Sequence, residues 1–224
     1  MGNRAILLSI KPEYVAAILN GYKTIEFRKL FPIDKDYMDV YIYCTKQPNK
    51  NLVINDLFEG DKYWVTKNYK EFAMNGKVVA KFKIWKIKEI ECEFHKDDLD
   101  DEDGCYQAIS EIVRDEEFPE EYDRYELVTN EDYHYDQKPF LVQSCLKMQE
   151  IKNYMRKNKN EWFERAYAIY IHNLVIFDRP KELKEFFIYS HTVDGVNEKN
   201  KATKYDVLKK LTNAPQNYCY IEVD

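Results

Sequence analysis

No stretch of this chain approaches the roughly 20 consecutive apolar residues that a helix needs to cross a bilayer. The N-terminal "AILLSI" is too short for the apolar region of a secretory signal, and Lys11 follows at once. The expectation is a cytoplasmic protein with no membrane partner. A C-x-x-C motif is also lacking. The five cysteines, Cys44, Cys92, Cys105, Cys145 and Cys219, are odd in number and far apart, which argues against a zinc knuckle or a redox pair. His95, His134, His172 and His191 are equally scattered, with no H-E-x-x-H. Idle or buried reduced thiols, with no metal and no cofactor, are therefore expected. There is no internal repeat and no low-complexity linker, so 1–224 reads as one elaborated domain, long enough to bury a sizeable core.

What the chain does have is rings and charge. Tyrosine (19) and phenylalanine (12) are abundant enough that much of the core must be aromatic packing. The net charge of −6 hides an asymmetry: residues 97–136 hold 17 acids against Arg114 and Arg124 alone, a local −15 that leaves +9 on the rest. A basic body with an acidic insert suits a polyanion ligand, and the insert offers either a protein-partner surface or a means of repelling that ligand.

Hydrophobic periodicity divides the chain into elements. "AILLSI" (5–10) reads as a central strand. Pro12 begins a helix with Tyr14, Val15, Ile18 and Leu19 on one side, and Gly21 stops it. "KTIEFR" alternates as a strand, Ile25 and Phe27 facing one way and Thr24, Glu26 and Arg28 the other. "DVYIYC" (39–44) is a further strand. In "KVVAKFKIWKIKEIECEF" (77–94), Val78, Ala80, Phe82 and Ile84 share a face before the apolar phase moves to Trp85 and Ile87, which predicts a bulge there and a basic row of Lys77, Lys81 and Lys83. Helices are expected at "CYQAISEIVRDEE", at 145–159 with Leu146, Ile151, Tyr154 and Met155 inward, and near "KYDVLKKL" after a polar loop. "YAIYIHNLVIF" (167–177) and "YCYIEV" are strands. The order favours an α+β fold with a curved, mostly antiparallel sheet or barrel.

"LLSIKPEYVAAILNGYKTIEFRK", with its small strand, helix and G-x-K-T-x-E-x-R, resembles the ASCH domain family of the PUA-like superfamily. "IHNLVIFDRPKEL" and "APQNYCYIE" are similar to the C-terminal half of long ASCH proteins found in mobile elements. The resemblance covers both ends of the chain, with 46–75 and 97–165 as elaborations. It implies a small β-barrel with a cleft between the first helix and the sheet, and a connection to RNA. One branch of the family hydrolyses acetylated cytidine with a lysine, a threonine and a glutamate; another is a ribonuclease. Lys23 matches the hydrolase lysine. Glu26 stands where that threonine would be, and Thr24 matches a different position, so the nucleophile assignment does not transfer.

These residues define an expected site. Lys11 and Tyr14 begin the first helix, whose amide-rich end suits an anion, and Tyr14 offers a stacking face. Lys23, Thr24, Glu26 and Arg28 supply an ammonium, a hydroxyl, a carboxylate and a guanidinium; an arginine held by a carboxylate presents a fixed fork to phosphate or a base edge. Lys77, Lys81 and Lys83 would track phosphates. Charged side chains on an exposed strand are commonplace, however, and such a pair contributes about 0–1 kcal/mol. The favoured expectation is recognition of RNA or a modified nucleotide. The rivals are a nucleoside hydrolase or ribonuclease with Lys23 and Glu26 as catalytic candidates, and a protein-interaction module using its acidic insert as a nucleic-acid mimic. His134, between two tyrosines, reads as a loop contact.

Overall fold

The computed structural model describes residues 3–32, 39–54, 60–92, 109–112, 141–156, 165–196 and 202–223. They form an α+β fold with a mostly antiparallel sheet. Two compact units share the chain, the first made of Met1–Asn20, Tyr37–Lys83 and Asn173–Asp224, the second of Gly21–Asp36 and Ile84–His172.

The first unit is built around β1 (Asn3–Ile10), which lies between β11 (Tyr218–Val223), antiparallel, and β3 (Asp39–Cys44), parallel. A parallel pair needs a crossover, and helix α1 (Pro12–Leu19) lies within that connection. Pro12 opens α1, where its missing N–H costs nothing, and Gly21 follows the helix at φ +80. As expected for a central strand, β1 is buried on both faces from Ala5 to Ile10. Ala5 and Leu7 join Tyr41, Tyr43, Val78, Phe186, Leu211 and Ile221 in one core cluster. Ile6, Leu8, Val40, Ile42, Ala80 and Phe82 are buried as well. The strand order here is β10-β9-β11-β1-β3-β6, where β6 is Lys77–Cys92, β9 Phe187–Val196 and β10 Ala202–Lys210. A separate hairpin, β4 (Asn51–Ile54) and β5 (Tyr63–Thr66), packs against α1.

The second unit contains β2 (Ile25–Arg28), antiparallel to β8 (Arg165–Glu182), which itself neighbours β6; β7 (Ile109–Ile112) pairs with the far half of β6. Strands β6 and β8 each run from one unit into the other. Helix α2 (Met148–Met155) lays Ile151 and Met155 onto Ile25, Phe27, Ala166 and Ala168. Neither set of strands closes on itself as a barrel among the described residues.

Several sequence expectations are corrected. The 109–112 part of the expected helix at "CYQAISEIVRDEE" is strand β7, because "KEIEC" of β6 offers a free edge that outweighs a modest helical propensity. The expected polar loop and helix at 187–210 are instead the hairpin strands β9 and β10, paired along nearly their whole length. Strand β6 also carries a bulge at Val79: Ile42 faces Ala80 but Tyr43 faces Val78, so Val79 is the extra residue. Val78 therefore joins the face of Lys81, and the row from Lys77 to Lys83 is interrupted. The helix at 145–159 begins only at Met148, because Cys145 takes a left-handed conformation (φ 52) after the helical turn 141–144. Glu150 then accepts a hydrogen bond from the Lys147 N–H (2.8 Å) to cap α2. Most of the acidic segment, including His134, lies outside the described residues, as do Lys157 and Lys159.

Candidate functional site

The polar face of strand β2 was expected to line a cleft, and all four residues of the strand are buried. Ile25 and Phe27 belong to the apolar cluster under α2. The opposite face carries Glu26 and Arg28, and it is covered too: Lys23, Glu26 and Arg28 are 2%, 5% and 8% exposed. The Arg28 Nε lies 2.9 Å from Glu26 Oε1, and the Lys23 Nζ lies 3.4 Å from Glu26 Oε2. One carboxylate thus stands between two cations.

The backbone explains how Lys23 comes to be there. After Gly21, the N–H of Thr24 donates to the carbonyl of Gln143 (2.8 Å), and the N–H of Ile171 donates to Thr24 (2.9 Å), which clamps the entry to β2 between β8 and the turn at 141–144. The last carbonyls of any helical turn lack a partner within it. Ser144 sits at that end, and its carbonyl accepts a hydrogen bond from Lys23 Nζ (2.5 Å). Burial pushes the Lys23 ammonium below the ordinary lysine range; the Glu26 charge opposes this and the Arg28 charge adds to it. The second oxygen of Glu26 is buried and makes no hydrogen bond with the described residues.

The other expected residues are placed as follows. Thr24 is exposed. Lys11 and Tyr14 belong to the first unit; Lys11 is exposed, its carbonyl accepting the first N–H groups of α1, and Tyr14 is half-buried. Lys81 is bound to Asp39 at 2.6 Å and lies over the Tyr41 ring, while Lys77 is 3.8 Å from Glu182. Lys83 is exposed. The structure therefore brings Lys23, Glu26 and Arg28 together. The turn at Ser144 was missed, because a backbone carbonyl has no signature in sequence. Among the described residues no group of three or more histidine, cysteine or acidic side chains is placed to hold a metal.

The chain matches no protein-family model, and no curated protein matches it. Solved structures do resemble it. ASCH from Zymomonas mobilis aligns over 80% of this chain and 73% of its own, at 14% identity and a TM-score of 0.41. Crystal structures of two point mutants of that protein align at 14% identity with TM-scores of 0.42 and 0.47; the latter covers 98% of this chain and 90% of the mutant.

Proposed function

We propose that this protein binds RNA or a modified nucleotide, and that Lys23, Glu26 and Arg28 on β2 read the ligand. The observation that carries the reading is the burial of three ionisable side chains within six residues. Removing such groups from water costs several kcal/mol each, and well-packed apolar residues in their place would be as stable or more so. A cluster retained at that cost is more readily understood as working than as structural. The chemistry suits a nucleotide. Arg28, oriented by Glu26, carries the planar guanidinium suited to phosphate or a base edge. The Glu26 oxygen that faces Lys23 can accept from an exocyclic amino group in the ammonium's place. RNA is favoured by the G-x-K-T-x-E-x-R resemblance and by the wealth of rings on which unpaired bases can stack.

The test is a titration of short unpaired RNAs at two salt concentrations. Wild type is expected to bind, Arg28→Lys to bind more weakly because it keeps charge but loses the fork, and Arg28→Ala to bind least. Equal affinity in all three, with melting curves showing each folded, would count decisively against the reading.

One observation favours a second reading, hydrolysis of an acylated nucleoside. An ammonium whose proton is loosened by burial is the usual route to a basic lysine. Incubation with N4-acetylcytidine separates the two: release of acetate by wild type but not by Lys23→Met would make this an enzyme. Binding without turnover would leave it a reader.

A further inference from the structure

The hairpin β4–β5 and the 3-10 turn after it carry an unusual surface. Trp64 on β5, Tyr69 and Phe72 are 40%, 60% and 72% exposed. The turn Lys70–Phe72 contacts β4, and it is tied down by N–H donation from Phe72 to Tyr69 (3.1 Å), from Ala73 to Lys70 (3.2 Å) and from Met74 to Leu52 (2.8 Å). Three large rings are thus displayed to water from one anchored module of the first unit. Isolated exposed rings need no explanation, but three within nine residues on one module do.

Two further features point to the ligand. Tyr69 adopts the left-handed conformation (φ 57, ψ 42), uncommon for a bulky residue without a glycine's freedom. Its ring is largely exposed, so core packing does not account for that conformation; it is held by the turn and projects the ring outward. Lysines also alternate with the rings. Lys62, Lys67 and Lys70 are exposed and make no ion pair among the described residues. Elsewhere in the same unit Lys50, Lys77 and Lys81 are each paired, with Glu13, Glu182 and Asp39. Exposed ammonium groups beside exposed rings complement a flexible polyanion whose bases stack.

We propose that this module is a second nucleic-acid surface, taking unpaired RNA or DNA without sequence preference, by base stacking on Trp64, Tyr69 and Phe72 and phosphate contact to Lys62, Lys67 and Lys70. It stands independently of the β2 cluster. A protein partner offers no regular row of phosphates, and a membrane offers phosphates but no flat bases on which the rings can stack.

The experiment uses the full chain and a fluorescently labelled uridine 12-mer at low and high salt. Wild type should bind, with tryptophan emission quenched and affinity falling as salt rises. Trp64→Ala and Phe72→Ala should each weaken binding about tenfold or more, Lys67→Gln/Lys70→Gln should flatten the salt dependence, and Lys209→Gln, an exposed lysine on β10, should leave binding unchanged. Melting curves establish that the variants fold; Phe72, the most exposed ring, is the safest substitution. Undiminished binding in Trp64→Ala/Phe72→Ala, or an equal loss in Lys209→Gln, overturns the inference. So does capture by phosphatidylserine vesicles that the 12-mer fails to compete away.

Discussion

Arg28 Nε and Glu26 Oε1 lie 2.9 Å apart with both side chains more than nine-tenths buried. That relationship sets this pair apart from the surface ion pairs elsewhere in the chain, such as Lys50–Glu13. Surface pairs contribute little because water screens them and their side chains lose freedom on pairing. A buried carboxylate between two cations is different, since each charge makes the others tolerable.

Glu26→Ala should therefore be far more damaging than Glu13→Ala. It leaves the Lys23 and Arg28 cations close together in a site with little water. The expected loss is about 3–5 kcal/mol, against less than about 1 kcal/mol for Glu13→Ala. Urea unfolding of the two variants measures both. Pairing Glu26→Ala with Lys23→Met and Arg28→Met should recover much of the loss, because apolar side chains of similar length need no counter-charge. A Glu26→Ala variant as stable as wild type would mean the cluster is hydrated.

The cysteines should divide by burial. Cys44 is fully buried in β3 and burial pushes its thiol up to about 12; Cys219 is pushed up to about 11. Thiolate is the reactive form, so neither should alkylate readily at pH 8 in the folded protein. Cys145, at the mouth of the turn after 141–144, is less covered and should react before Cys44. Iodoacetamide labelling followed by peptide mass mapping gives the order. These raised thiols also bear on stability. Their unfolded value is near 9, so their contribution is present below that pH and is lost as pH rises toward the folded values.

How much of this was legible beforehand depends on what kind of signal each part leaves. The first helix, β3 and the last strand were readable residue by residue, because Pro12, Gly21 and short aromatic or β-branched runs act locally. Strands β7, β9 and β10 were not, since each is decided by a partner distant in sequence: Ile109 by Cys92, Phe187 by Lys210. The identity of the central residues was also readable: Lys23, Glu26 and Arg28 were singled out from one motif. Their burial was not. An alternating strand predicts one dry face and one wet face, and only the tertiary fold reveals that both faces of β2 are covered. The bulge at Val79, which interrupts the row from Lys77 to Lys83, was equally invisible without the partner strand.

Gly21 offers a local test of the turn that delivers Lys23. Its φ of +80 is in the left-handed region, and a Cβ there would meet nothing within 4 Å. The cost of Gly21→Ala is therefore backbone strain alone, about 1 kcal/mol, and Gly21→Asn should cost less because asparagine tolerates that conformation better. Thermal melting should rank wild type, Asn and Ala in that order. A large loss of ligand affinity with little loss of stability would show that the turn positions Lys23 as well as ending α1.

Lys23 makes the sharpest prediction about pH. Burial lowers its folded value beneath the ordinary 10.5. Between the folded value and 10.5 the unfolded chain holds more protons at this position than the folded one. Stability attributable to Lys23 must therefore rise with pH across that window and level off above it. The thiols of Cys44 and Cys219 and the phenols of Tyr41 and Tyr43 are shifted upward and act in the opposite direction at alkaline pH. The wild-type curve alone is a sum, and the comparison with Lys23→Met isolates the lysine. Lys23→Met keeps the aliphatic bulk and cannot titrate, so its advantage over wild type should shrink as pH climbs from 7 toward 10.5. Urea unfolding at half-unit steps gives the difference curve. A difference that stays constant across this range would mean that the Glu26 carboxylate holds the ammonium charged throughout, and the basic-lysine reading would lose its physical ground.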